Sequence, residues 1–320
     1  MTLRIGILGA ARVATYALIE PARSVEGVEV VAVAARDPNR ARDYAATHGI
    51  AHVAEDYAAL IAKPDVDAVY NALPPSLHAR WSIAAVGAGK PVLCEKPFAL
   101  TLADVDAMLA AESRSGCLLM EAQHSHYHPL ASRMRAVCAD GTLGTIRHID
   151  AHFDAAVADT SEELRYLREV GGGALWDLGT YPLHWIRSAL DTDWHVARAT
   201  QRWHASGADT ATEAHLVAPG GATARLACAM DGETTATLSV EGTRGRLDIV
   251  NPIAPQRGYR FALTIGDDTC DEHFADVTTY AGQLVAFRDA VAGTASVPTR
   301  GAWSRATIAL LAAIDAKARS

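Results

Sequence analysis

Between residues 3 and 122 the chain alternates short, uniformly apolar runs with helical stretches, and this alternation constrains its fold more than any other feature. "LRIGILG" (3–9), "VEVVAVAA" (28–35), "AVYNAL" (68–73), "PVLCEK" (91–96) and "CLLMEA" (117–122) read as strands buried on both faces. The segments "PNRARDYAATHG", "SLHARWSIAAVGAG" and "TLADVDAMLAAESRSG" between them have helical composition and close on Gly. Strand followed by helix, repeated, implies right-handed crossovers and a parallel sheet covered on both sides. The expectation is an α/β, doubly wound (Rossmann) nucleotide-binding domain over residues 1–122.

After residue 123 the pattern changes. "TIRHIDAHFDAAV" (145–157), "HVARATQRWHAS" (195–206), "TEAHLVAP" (212–219), "ATARLACAMD" (222–231), "TATLSVEGTRGRLDIVNP" (235–252) and "YRFALTIGDD" (259–268) alternate apolar with polar residues. Period-two alternation predicts strands with one wet face, hence a large, mainly antiparallel sheet. Helices are expected at 130–140, 174–190, 280–293 and 301–318. Residues 123–320 are read as an α+β domain for substrate binding and oligomerisation, with the C-terminal helix packing back on the first domain.

The chain's 320 residues suffice for two such domains, and its net charge of −8 comes with Arg and Lys scattered among acids. No basic stripe exists to neutralise phosphates, so nucleic acid is not an expected partner. Five cysteines without a CxxC spacing suggest neither a disulfide framework nor a zinc knuckle. No apolar run reaches the roughly 18 residues of a membrane span, and the short N-terminal apolar run carries Arg4 and Arg12. No membrane association and a cytoplasmic location are the expectations.

The first strand runs straight into "ILGAARVA", where Gly9, Ala11 and Ala14 stand at the three positions of a G-x-G-x-x-G fingerprint. Ala at the second position is a departure from it. The helix start after Ala10 still offers amides and a positive dipole to a phosphate. At the end of the second strand an NAD-preferring site places an acid; here Ala34 and Ala35 precede Arg36, with Arg40 one helical turn on. An arginine there matches a 2′-phosphate, so NADP is expected ahead of NAD. Asp37 leaves the choice open, because its carboxylate facing the ribose would weaken the preference.

"VLCEKPFAL" places Glu95 and Lys96 at the carboxyl end of a strand, where ligands of open α/β sheets bind. In "GGGALWDLGTYPLHW" (171–185) a helix starting near Ala174 carries Asp177, Tyr181 and His184 on one face. On these residues the chain resembles the Gfo/Idh/MocA oxidoreductases along essentially its whole length. The details "GAARVA", "VAARD", "VLCEKP", "LMEA", "GGGALWDLGTY" and "GTRGRLDIVNP" are most similar to the branch holding dihydrodiol dehydrogenases, D-xylose dehydrogenases and glucose-fructose oxidoreductase.

The resemblance implies hydride transfer between NADP(H) and a carbon bearing a hydroxyl or carbonyl, on a sugar, cyclic polyol or diol. It implies that Lys96 hydrogen-bonds the reacting oxygen, that Tyr181 exchanges its proton, and that Asp177 orients a hydroxyl or Lys96. His78, His126, His184 and Trp176 are the expected substrate contacts. Gly9, Ala10, Ala11, Arg12, Val13, Ala35, Arg36, Arg40, Leu73, Pro74, His78, Glu95 and Lys96 are the expected cofactor contacts. A homodimer or homotetramer is implied, with the open face of the antiparallel sheet as its interface. The rival readings are a non-catalytic NADP-binding regulator on the same fold and an imine or enone reductase.

The stretch "QHSHYHPL" sets His124, His126 and His128 at alternate positions. In extended backbone their rings would leave one face and converge. No Cys or carboxylate spacing completes a metal site, so no metal is expected, and His126 is the preferred substrate contact of the three.

Overall fold

In the computed structural model, which describes residues 2–160 and 163–320, six parallel strands form the first sheet. They are β1 (Leu3–Leu8), β2 (Val28–Ala34), β3 (His52–Val53), β4 (Ala68–Asn71), β5 (Val92–Glu95) and β6 (Leu119–Ala122). Their order is β3-β2-β1-β4-β5-β6, reversing direction between β1 and β4 at the switch point where doubly wound sheets bind ligands. Every residue of β4, β5 and β6 is buried, as the unbroken apolar runs require. The edge strand β3 was not expected. Its two exposed residues pair only with Ala32 and Val33, too short a stretch to leave a periodicity.

The helices around this sheet start where side chains accept orphan amides. Asp37 caps α2 (Pro38–His48), Asp56 caps α3 (Tyr57–Ala62) and Thr101 caps α5 (Leu102–Ser115). Gly49 and Gly116 end α2 and α5 in the left-handed conformation. The first helix, α1 (12–22), carries a π-turn over Thr15–Ile19, and α4 (His78–Gly87) follows β4.

The second sheet has eight strands: β7 (Ile146–Asp154), β8 (His195–Trp203), β9 (Asp209–Val217), β10 (Thr223–Ala229), β11 (Thr235–Gly242), β12 (Gly245–Val250), β13 (Arg260–Ile265) and β14 (Asp268–Asp271). The order is β14-β13-β12-β11-β7-β10-β9-β8. All neighbours are antiparallel except β7 and β10, which run parallel. The alternating run 235–252 is two strands, β11 and β12, joined at Thr243–Arg244. One face packs on α7 (175–189), where Leu183 and Ile186 are fully buried; each such side chain stabilises by roughly 1.5–3 kcal/mol. Among the residues that alternate with the buried set, Arg225 pairs with Asp150 at 3.2 Å and Glu213 at 2.7 Å, and His152 with Asp154 at 2.8 Å. The remaining helices are α6 (Pro129–Ala139), α8 (Thr279–Val291) and α9 (Ala302–Ala318).

The chain divides into two compact units: residues through His124 with Tyr280–Ile308, and Ser125–Thr279 with Ala309–Ser320. Among the described residues no helix is long and apolar enough to cross a membrane.

Candidate active site

Gly9 follows β1 with φ +97°, and a Cβ there would meet Ala72 O and Leu73 Cδ2, each at 3.2 Å. That position needs glycine. Ala11 has φ −97° and ψ 142°, extended backbone open to any residue, which explains why alanine replaces the second fingerprint glycine. The turn is braced from α2: Arg40 Nη2 donates to Ala10 O at 2.9 Å and the Tyr44 hydroxyl to Ala11 O at 3.0 Å. Arg40 therefore holds the turn as well as placing a charge beside it. Arg12 is exposed and Val13 half-buried in the first turn of α1.

At the end of β2, Ala35 is buried and Arg36 exposed. Asp37 Oδ1 accepts the main-chain N–H of Asn39 at 2.9 Å, so this carboxylate caps α2. The Tyr57 phenol lies beside Arg36 and Arg40; burial raises its pKa, and the Arg36 N–H and both cations pull it back. Tyr57 meets Trp81 edge-on at 5.0 Å, and the Arg80 guanidinium sits 4.9 Å from the Trp81 ring centroid. A helix N-terminus, a glycine turn and two arginines beside the second strand suit an anionic dinucleotide.

Lys96 follows β5. The Tyr70 hydroxyl donates to Glu95 Oε1 at 2.5 Å, and Glu95 Oε2 accepts the Lys96 main-chain N–H at 3.2 Å. Tyr70 is fully buried; desolvation, then the neighbouring Glu95, drive its pKa far above the usual phenol value, so it stays a fixed donor. His78, expected from the sequence as a contact of substrate and cofactor, opens α4. Its ring is fully buried, with Nδ1 2.8 Å from Pro97 O and Nε2 2.8 Å from Leu73 O. Burial pushes its pKa down to about 4 against the pull of those carbonyls. Neutral, the ring donates from one nitrogen only, and it sits between the carbonyl of the loop after β4 and that of the Lys96–Pro97 turn. Leu73 is buried and Pro74 half-buried in the same loop.

The three alternate histidines do not converge, because His124–Tyr127 form a 3₁₀ turn and not extended backbone. His124 stacks on Tyr280 with centroids 4.1 Å apart, and burial, assisted by the Lys96 charge, lowers its pKa to about 3. Tyr16 lies 5.5 Å from Tyr280 in turn. In the sequence each tyrosine reads as one more helical aromatic, and only the stack beside His124 singles them out. His128 Nδ1 accepts the Leu130 N–H at 3.1 Å, capping α6 ahead of Pro129.

In the second unit the three glycines have separate reasons. Gly171 has φ +95° and Gly173 φ +122°, and a Cβ on Gly172 would lie 2.6 Å from Arg165 O. Helix α7 opens as a π-turn over Leu175–Gly179 and continues as an α-helix over Thr180–Ala189. Asp177 on the π-turn has its Oδ2 4.0 Å from Arg165 Nη1. Trp176 and Tyr181 are each 7% exposed, and Phe153 meets the Tyr181 ring edge-on at 5.5 Å.

His126 Nδ1 lies 3.0 Å from His184 Nε2, and Ser188 Oγ is 3.5 Å from that same nitrogen. Burial, then the charge of Arg135, lowers the His126 pKa to about 3. Together with Arg135, Trp185, Leu130 and Met134 the two rings bound a cavity of about 10 Å³, room for a single water. Both rings, expected from the sequence as substrate contacts, thus face each other within the second unit.

Residues 3–123 match the family model described as "Oxidoreductase family, NAD-binding Rossmann fold", and residues 131–248 match "GFO/IDH/MocA C-terminal domain". A dTDP-3,4-didehydro-2,6-dideoxy-alpha-D-glucose 3-reductase of Streptomyces violaceoruber is 35% identical over 82% of this chain and 77% of its own. A D-xylose 1-dehydrogenase (NADP(+)) of Haloferax volcanii is 32% identical over 89% of this chain and 88% of its own. Among solved structures, a 3-ketoreductase from Actinomadura kijaniata in complex with NADP and TDP-benzene superposes with a TM-score of 0.90 at 29% identity, covering 99% of this chain and 98% of that one.

Proposed function

The chain belongs to the Gfo/Idh/MocA oxidoreductase family, and on that premise we propose that it transfers a hydride between NADP(H) and a hydroxyl or carbonyl carbon of a sugar, cyclic polyol or vicinal diol. The observation that carries the cofactor assignment is at the end of β2: Asp37 is turned into the cap of α2, while Arg36 stays exposed beside Tyr57. A carboxylate there would repel a 2′-phosphate, whereas a guanidinium pairs with it. Gly9, Ala10, Ala11 and the first turn of α1 receive the pyrophosphate in this reading.

The nicotinamide, when bound, supplies or accepts the hydride. Lys96 donates a hydrogen bond to the reacting oxygen, and the Tyr181 hydroxyl gives or takes the proton. A free phenol titrates near pH ~10, so proton loss from Tyr181 needs a nearby cation, and Lys96 fills that part. Asp177, an acceptor-only carboxylate, orients the substrate hydroxyl. Glu95 and Tyr70 hold the main chain at Lys96.

The test is a panel of aldoses, inositols, diols and keto-sugars, free and dTDP-linked, assayed with NADP⁺ and NADPH. Turnover of at least one class with NADP(H) preferred supports the reading. Tight NADPH binding with no hydride transfer anywhere in the panel would assign the chain to a regulatory role instead.

A further inference from the structure

Asp209 opens β9 and is completely buried. Its Oδ2 accepts two hydrogen bonds, from the Leu175 main-chain N–H at 2.8 Å and from the Thr212 hydroxyl at 2.7 Å. Leu175 is the first residue of the π-turn that carries Asp177 and leads into Tyr181. The other oxygen, Oδ1, is buried with no hydrogen-bond partner among the described residues, and a Cβ on Gly173 would sit 2.2 Å from it. The last glycine of "GGG" is thus set by the carboxylate as well as by its φ of +122°. A buried carboxylate with one oxygen doubly engaged and backbone pressed against the other is a costly arrangement, tolerated where it holds something in place.

We infer that Asp209 is a positioning residue for the reaction: from a rigid strand it pins the start of the π-turn and so sets where Asp177 and Tyr181 stand. This rests on the proposed roles of those two residues. A π-turn holds one residue more than an α-turn and is intrinsically less favourable, so it needs an external anchor. If the anchor is lost and the turn relaxes to an α-turn, residues on its N-terminal side rotate by about 100° and shift about 1.5 Å relative to the rest of the helix. Asp177 lies within the turn and Tyr181 beyond it, so the two change their relation to each other. Misplacement on that scale costs on the order of 10²-fold in rate.

The experiment compares Asp209→Ala, Asp209→Asn and Thr212→Val for turnover, pH profile, NADPH binding and amide exchange across residues 175–181. Asp209→Ala is expected to lower kcat by about tenfold or more with NADPH affinity little changed, because the expected cofactor residues all lie in the first unit. The apparent pKa of the basic limb rises as Tyr181 loses its set position, and the 175–181 amides exchange faster. Asp209→Asn, which keeps one oxygen to accept both hydrogen bonds, restores most of the rate. Should Asp209→Ala fail to fold, Thr212→Val, which removes one of the two bonds, is expected to move kcat and the pH profile in the same direction by a smaller amount. A folded Asp209→Ala or Thr212→Val with wild-type kcat, pH profile and exchange overturns the inference. Lowered thermal stability alone, with those three unchanged, overturns it too. If the wild type turns over nothing in the panel, the proposed function falls, while unchanged or accelerated 175–181 exchange still decides whether Asp209 holds the turn.

Discussion

Asp37 accepts the Asn39 amide at 2.9 Å, so the acidic side chain nearest the end of β2 faces the helix it caps, while the exposed Arg36 precedes it. Arg36→Ala is expected to weaken NADPH binding by a factor of about 10 to 100, the scale of a charge-assisted hydrogen bond, and NADH binding much less. Asp37→Ala is expected to cost about 1 kcal/mol of stability through the lost cap without reversing the preference. Fluorescence titration with both nucleotides checks each variant; equal losses of NADPH and NADH in Arg36→Ala would show that another group reads the ribose.

Lys96→Met and Tyr181→Phe each remove a group proposed to act at the reacting oxygen. Turnover falls by a factor of order 10² or more in either variant, while NADPH still binds. Steady-state rates beside a binding titration settle the point, and wild-type rates in both would end the mechanism.

His126 and His184 share one hydrogen bond at 3.0 Å around a space for one water. Replacing His126 by Leu takes from His184 Nε2 its 3.0 Å partner and leaves Ser188 Oγ at 3.5 Å, so denaturant unfolding should show a loss of roughly 0.5–1.5 kcal/mol with an unchanged KM for substrate. A raised KM at unchanged stability would return the pair to the substrate site.

Burial drops the pKa of His78 to about 4 and those of His124 and His126 to about 3. In the unfolded chain each titrates near pH ~6.5. Below that value the unfolded state takes up protons that the folded state refuses, so stability present at neutral pH is lost as the pH falls towards 4. The slope is up to about 1.4 kcal/mol per pH unit for each histidine. His124→Phe, which keeps a ring against Tyr280 and removes one titrating group, should flatten the dependence of Tm on pH over this window. An unchanged slope would show that His124 is not part of it.

Much of the architecture was legible because it follows from local rules. Unbroken apolar runs separated by helical stretches admit few arrangements other than a parallel sheet covered on both faces, and "GGGALWDLGTY" announces a sharp turn into a helix. What local rules mark poorly was missed: the two-residue β3, the single parallel pair between β7 and β10, and the π-turn at the head of α7.

By itself, then, the sequence determined the two kinds of sheet, the glycine turn after β1, and the positions of Lys96, Asp177 and Tyr181 on their elements, since each depends on neighbours a few residues away. Only the tertiary structure decided what the polar side chains do. Asp37 turned to its cap, His78 closed between two carbonyls, His126 found His184 58 positions on, and Asp209 reached back 34 positions to Leu175. A buried polar group must take whichever partner the fold brings within hydrogen-bonding reach, and no local pattern encodes that partner.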